Sequence, residues 1–474
     1  MTSLHELTEP IPQNIPAALQ EPLKNLQGNI LQGHGRDHSV HIFLRFTGNE
    51  TAVKGWIKGL AEDITCAQLQ LDEIEQYRQY SIPSRVFMNF FLSAKGYEYL
   101  LKQKPGFDNE GFLRGMEAAR HRLNDPPKEV WEERYRQRID AMVLLADDDE
   151  HLLLREARKR LDEIKAHAEI CAVEHGRVMR NAWGDSVEHF GYADGRSQPL
   201  FFQRDIDRVR QKGDRTNVWD PGAGPNLVLV PDPYGEEYES NGRVVKYHHS
   251  GSYLVFRKLE QHVRAFKEGQ KKLAQALGLT GKDAERVGAL VMGRFEDGTP
   301  VVLQPTAGRP TNNFIYDGDP DGEKCPLQAH IRKVNPRTED TKARRIVRRG
   351  ITYGTREKEP KDNPSLEELP NKDVGLLFMC YQRDIERQFE VLQYLFANDP
   401  RACPQQQESG VDSIIGQPGV MGVGQQKWPA QWNDPREQHN SFDFYGFVTL
   451  KGGEYFFAPS IYFLRNIENV GNKA

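Results

Sequence analysis

Short strand-like runs alternate with helical patterns in both halves of the chain, and this restricts the fold to helices packed on sheets. Val40, Ile42, Leu44 and Phe46 fall on one face of an extended run, with His41, Phe43 and Arg45 on the other, which predicts a half-buried strand. Residues 86–92 predict a second strand, running into Ser93 as a helix N-cap, with Tyr97 and Leu100 following at helical spacing. The apolar run 142–146 is punctuated by Asp147, Asp148 and Asp149 before a helix carrying Leu153, Ala157 and Leu161. In the second half, a strand at 253–257 precedes a helix with Leu259, Val263 and Phe266 on one side. A strand at 375–381 precedes a helix burying Ile385, Phe389, Leu392 and Phe396. Residues 442–450, Lys451-Gly452-Gly453 and 454–457 predict a hairpin with a glycine-rich turn. Since 474 residues exceed one ordinary core, two α+β domains of similar plan are expected, over 1–220 and 221–474. A charged helical insertion at about 106–140 is expected to present a solvated face.

Composition excludes several classes. A net charge of −5 offers no electrostatic reason to expect nucleic acid or an anionic membrane as partner. The five cysteines are scattered and never form C-x-x-C, which argues against a disulfide framework, a structural zinc site and an iron–sulfur cluster. The N-terminal segment carries Glu6 and Glu9 and no apolar core, so neither a signal peptide nor a membrane span is expected, and the expected location is cytoplasmic. No segment after Ile467 looks like a docking peptide.

Other signals fail on their chemistry. Asp317-Gly-Asp-Pro-Asp321-Gly322 opens like a calcium loop, but Gln328 stands where the bidentate glutamate belongs, and Pro320 and Cys325 interrupt it. His248 and His249 are adjacent, so a strand would send them to opposite faces. The basic run Arg344, Arg345, Arg348, Arg349 is by default a solvated face and lacks aromatic interleaving for bases.

Two segments carry more. Phe190-Gly191-Tyr192-Ala193-Asp194-Gly195-Arg196-Ser197-Gln198-Pro199 sets one carboxylate between glycines that let backbone approach a flat ligand closely, although Asp-Gly is more often just a turn. In Cys325-Pro-Leu-Gln-Ala-His330-Ile-Arg332 a lone histidine, ordinarily a packing residue, is followed by two arginine clusters, Arg332 with Arg337 and Arg344 to Arg349. Nearby cations keep an imidazole neutral and its lone pair available, and they would also meet the propionates of a macrocycle.

Together these segments resemble the dye-decolourising peroxidase family, whose G-x-x-D-G signature is matched by Gly191 to Gly195. The resemblance covers nearly the whole chain. It extends through Leu26-Gln-Gly-Asn-Ile-Leu-Gln-Gly-His-Gly35, Gly251-Ser-Tyr-Leu-Val-Phe-Arg-Lys258 and Ala329-His-Ile-Arg-Lys-Val-Asn-Pro-Arg337. It continues in Gly375-Leu-Leu-Phe378, Gly410-Val-Asp412-Ser-Ile-Ile-Gly416 and Gly452-Gly-Glu-Tyr-Phe-Phe-Ala-Pro459. The charged insertion resembles the larger, bacterial-type members. The resemblance implies two ferredoxin-like α+β domains with antiparallel sheets, one haem b per chain held mainly by the second domain, and His330 as the proximal iron ligand. It implies Asp194 as acid–base residue and Arg348 as arginine on the peroxide side, Leu376 and Phe378 as apolar walls, and Asp412 as the acceptor of the histidine proton. Gly191, Gly195, Arg196 and Arg332 are further candidates for holding the cofactor. Gly350 departs from subgroups that place an asparagine there.

The activity implied is haem-dependent reduction of hydrogen peroxide with one-electron oxidation of dyes, phenols or other small aromatic reductants. A homo-oligomer is compatible with it. An aspartate base implies activity reaching into acid, since aspartates ordinarily titrate near 3.9 and histidines near 6.5. Bulky reductants would need a surface relay, for which Trp131, Trp183, Trp219, Trp428 and Trp432 are candidates. Two rival readings are a haem-handling protein that stores, delivers or strips haem of iron, and a non-haem protein whose arginines bind an anion.

Overall fold

The apolar alternation of the first half builds four strands, β1 (His38–Phe46), β2 (Phe87–Leu92), β3 (Ala141–Asp147) and β4 (Ala168–Arg177). The computed structural model describes residues 3–212, 218–238, 245–402, 408–434, 436, 438–439 and 442–470. A small hairpin, β5 (Met179–Arg180) and β6 (Ser186–Val187), leads out of β4. The second half supplies β7 (Val230–Tyr238), β8 (Val245–Gln261), β9 (Val347–Arg348), β10 (Ile351–Tyr353) and β11 (Gly375–Gln382). A short pair, β12 (Trp428–Pro429) and β13 (Gln438–His439), precedes β14 (Val448–Ala458).

Each half is a ferredoxin-like unit. Strands β2-β3-β1-β4 and β14-β8-β11-β10 are both antiparallel and ordered by chain position as second-third-first-fourth or its reverse. The helices Glu50–Leu60, Ala67–Tyr80 and Glu150–Ile164 belong to the first unit, and Val263–Ala276 and Lys282–Met292 to the second. The units meet edge to edge, with Phe457 opposite Leu92 and Tyr353 opposite Gly176, and the β8–β11 pairing completes a closed ring of strands.

Ring closure explains why β1 is not half-buried. His41 and Phe43 face the ring interior and are as fully covered as Ile42 and Leu44 beside them. The helix start after β2 is as expected, with Ser93 Oγ accepting from Gly96 N at 3.1 Å.

Three expectations need correction. The stretch 106–140 is helical only over Glu110–Arg114 and Met116–Ala119 with two single turns beyond, and it buries Phe107, Phe112, Met116, Trp131 and Tyr135 against the sheet. Its charges masked an apolar set too irregularly spaced to read as a helix face. The hairpin at 442–457 is a single strand, β14, with a bulge between Leu450 and Gly452. Gly452 has φ +144°, and a Cβ there would lie 2.4 Å from Tyr135, so the glycine serves close packing rather than a turn. The helix after β11 winds more widely than expected, with Glu390 N bonded to Ile385 O and Asn398 N to Gln393 O.

Cys66, Cys171, Cys325 and Cys380 are free, while Cys403 lies outside the described residues. Among the described residues no cluster of metal-binding side chains occurs, and no helix is long and apolar enough to cross a membrane.

Candidate active site

The chain leaving β6 turns sharply, with Gly191 at φ +103° and Gly195 at φ +74°, a region that glycine adopts readily. Between them Asp194 N donates to Ser186 O at 3.0 Å, which pins the loop to β6. Asp194 Oδ1 accepts from Gly195 N at 2.6 Å and from Arg348 Nη1 at 2.8 Å. Arg348 lies on β9, opposite Cys380 of β11, and its own N–H donates to Gln198 Oε1 at 3.0 Å. Residues far apart in sequence thus form one carboxylate–guanidinium pair.

His330 opens a short helix, His330–Val334, and is one-fifth exposed. Its Nδ1 lies 2.9 Å from Asp412 Oδ2 and 3.2 Å from Oδ1. An ionised carboxylate only accepts, so Nδ1 carries a proton, and in the neutral ring this tautomer leaves the lone pair on Nε2. Asp412 is fully buried, and its Oδ1 also accepts from Ile414 N and Ile415 N, each at 2.8 Å, so its direction is fixed.

Asp194, Arg348 and His330 line one cavity of about 270 Å³. Leu376 and Phe378, two apart on β11, face it together, and Phe389, Leu392, Ile331 and Ile414 extend the apolar wall. Gly350 also lines it, and a Cβ there would stand 3.0 Å from Leu377 O and 3.5 Å from Leu376. Arg196 lines the cavity while pairing with Asp185 at 2.6 Å. Arg332 does not line it: the guanidinium is buried against Asp319 at 2.8 Å and the carbonyl of Cys325, which also occupies the carboxylate of the calcium-like loop. Gly191 and Gly195 shape the loop without lining the cavity.

The basic run is not a solvated face. Arg349 is half-buried and donates to Asn29 O at 2.8 Å and Ile30 O at 3.2 Å, which ties the opening segment 26–35 to β9. Of the tryptophans, Trp131 and Trp428 are core residues, Trp219 lines the cavity and Trp432 is half-buried. Trp183, on the β5–β6 turn, is 69% exposed.

Reading the sequence missed Arg294, which joins Arg337 and Arg345 of the two arginine clusters. All three line the cavity, and Arg294 and Arg337 make their hydrogen bonds to neutral oxygens: Gly298 O, Thr311 O and Asn312 Oδ1 for the first, Asn312 O, Phe314 O and Ser197 Oγ for the second. Burial, then Arg337, pushes Arg294 down to about 9, and burial, then Arg345, pushes Arg337 down to about 10. Cations held together in low dielectric without carboxylates call for an anionic ligand. A flat apolar wall, a histidine with an available lone pair and surplus guanidinium groups fit an iron macrocycle bearing two carboxylates.

Comparison with known proteins agrees. The family model for the C-terminal part of Dyp-type peroxidases matches residues 243–405. The multifunctional dye peroxidase DyP2 of an Amycolatopsis species is 40% identical over 458 residues, covering 94% of this chain and 96% of that protein. The solved structure of DyP2 from Amycolatopsis matches with TM-score 0.89 at 38% identity, covering 97% of this chain and 99% of that one. A solved DyP-type peroxidase from Anabaena matches with TM-score 0.86 at 42% identity, covering 97% of each chain. The chain belongs to the DyP-type peroxidase family, oxidoreductases acting on hydrogen peroxide. Membership implies a haem cofactor and organic reductants. It does not favour the haem-handling reading.

Proposed function

We propose that this chain is a cytoplasmic, haem b-dependent peroxidase that reduces hydrogen peroxide and oxidises dyes, phenols and related aromatic reductants one electron at a time. The main support is that the Asp194–Arg348 pair and the Asp412-held His330 face the same arginine-rich cavity. His330, through Nε2, would hold the iron, and Arg294 and Arg337 would meet the propionates, so the 221–474 half would hold most of the haem. Haem, when bound, supplies the redox chemistry that takes oxidising equivalents from peroxide and passes them on.

The protein's part is proton management and charge. Asp194, ionised, takes the proton from one peroxide oxygen and returns it to the other, which departs as water. Arg348 steadies the negative charge that gathers on the departing oxygen and holds Asp194 in place through their hydrogen bond. Asp412 holds the His330 ring in one tautomer and makes the imidazole a stronger donor.

Rapid mixing of the haem-loaded protein with one equivalent of hydrogen peroxide tests this reading. A fast spectral change is expected in the native protein. In Arg348→Leu it should be slowed about 10²-fold, the scale of losing one charge-stabilising donor, with haem still bound. A bound but unreactive haem would return the haem-handling reading. Asp412→Asn is expected to weaken haem binding by about 10- to 100-fold, the usual cost of losing the partner of a ligating histidine, measured by haem titration of the apoprotein.

A further inference from the structure

The loop that presents Asp194 is clasped by a carboxylate that the reaction above does not use. Glu188 Oε2 accepts the Phe190 N–H at 2.8 Å and a side-chain N–H of Gln261, while Oε1 accepts the Tyr192 N–H at 2.9 Å. The Glu188 backbone adds two bonds, accepting from Gly191 N at 2.9 Å and donating to Tyr192 O at 3.2 Å. Gln261 ends β8, and its Oε1 accepts the His189 N–H at 3.3 Å. Glu188 and Gln261 both line the cavity, as does Leu259 of the same strand.

We propose that Glu188 is the positioning residue of the peroxide-side loop: by gathering three N–H donors on one carboxylate, it fixes the direction in which Asp194 meets Arg348 and ties the loop to β8. The inference rests on the reading of Asp194 as the acid–base residue. An ionised carboxylate accepts all three donors strongly on two charged oxygens, whereas protonation leaves one oxygen a hydroxyl, a weaker acceptor whose O–H competes for the space, so the clasp loosens. Burial pushes Glu188 up to about 7 despite the pull of Gln261 and the two backbone N–H groups, with the Asp194 charge adding to the push.

The groups facing Glu188 from neighbouring elements do not remove this titration. Arg356, beyond β10, is the cation nearest in effect, and its N–H bonds go to the His189 carbonyl at 2.9 Å and to Lys358 O. His189 is kept neutral by burial, which takes it down to about 4. From β8 comes the neutral Gln261. Over Gly191 and Tyr192 stands the Lys267–Glu296 ion pair, bonded at 2.7 Å, whose charges offset each other. As pH rises through about 7, Glu188 ionises and the loop is held. As pH falls below it, the clasp weakens and the loop loosens.

Glu188→Gln imitates the protonated state at every pH, and two readouts on the haem-loaded protein test the idea. Hydrogen exchange across residues 190–195, corrected for intrinsic rates, should be about tenfold faster in E188Q than in the native protein at about pH 8, the scale of one lost hydrogen bond. At about pH 6 the two should converge. The rate of reaction with hydrogen peroxide should follow the same pattern, about tenfold lower in E188Q at the higher pH and equal at the lower. Gln261→Met, which removes one donor and keeps the volume, should move both readouts in the same direction by less, and it carries the test if E188Q fails to hold haem. Native exchange and a native pH profile in the variants that retain haem would overturn the proposal. If Asp194→Asn left the peroxide rate untouched while E188Q still loosened the loop, the acid–base reading would fail and the clasp would stand.

Discussion

Asp194→Asn is expected to slow the reaction of the haem-loaded protein with hydrogen peroxide by about 10²–10⁴-fold, the range for removing a positioned acid–base group, while haem stays bound. The substitution is nearly isosteric, and the amide oxygen still accepts the Gly195 and Arg348 N–H groups that now reach Asp194 Oδ1. The turn between Gly191 and Gly195, pinned by Asp194 N to Ser186 O, therefore keeps its shape. What disappears is the ability to take up and return a proton. Rapid-mixing absorption measures the effect directly, and an unchanged rate would move the proton transfer to another group. The contrast with Arg348→Leu is informative, because that change removes charge stabilisation and also frees the carboxylate from its partner.

His330→Ala is expected to reduce haem affinity by more than about 10²-fold, beyond what losing a partner of a ligating histidine costs. It also withdraws a hydrogen-bond donor from Asp412, a carboxylate with no solvent exposure. The Ile414 and Ile415 N–H groups remain to it, so the penalty to the apoprotein is that of one missing donor, ~1–3 kcal/mol, read as a lower Tm. Adding Asp412→Ala to His330→Ala should recover part of that stability, since the two residues act as a pair. Haem binding as tight as native in the single variant would remove His330 from the iron.

Residue types alone left most of the site open, since Asp-Gly is more often a turn and a lone histidine more often a packing residue. The family resemblance assigned the roles position by position, and the structure brings Asp194, Arg348, His330, Leu376, Phe378 and Asp412 together. Arg332 shows the limit of that approach. In sequence it is as close to His330 as a cofactor-binding arginine could be, yet the helix turns it to Asp319, while Arg294 and Arg337 are among the arginines that do line the cavity. Direction around a helix of five residues depends on what packs against it, which local spacing does not encode.

The same distinction runs through the fold. Strands and caps with local signals, such as β2 with Ser93, stand close to where their residues predict. Features decided by distant partners do not. His41 looks like the polar side of a surface strand until the ring closes around it. Gly452 looks like a turn until Tyr135 is packed on it. The stretch 106–140 looks solvated because charged residues separate the aromatic anchors that bury it. In each case the deciding contact lies far along the chain.

The two thin seams of the strand ring, one residue pair at Leu92–Phe457 and one at Gly176–Tyr353, have a practical corollary. Asp194 arrives with the first four-stranded sheet, while Arg348, His330 and Asp412 arrive with the second. On the roles proposed above, a chain cut between them and expressed as two pieces would carry half of the proton machinery on each, so neither piece is expected to turn over peroxide alone. Colour from an oxidised dye would then report reunion of the pieces, making the enzyme a split reporter whose signal depends on fragment complementation.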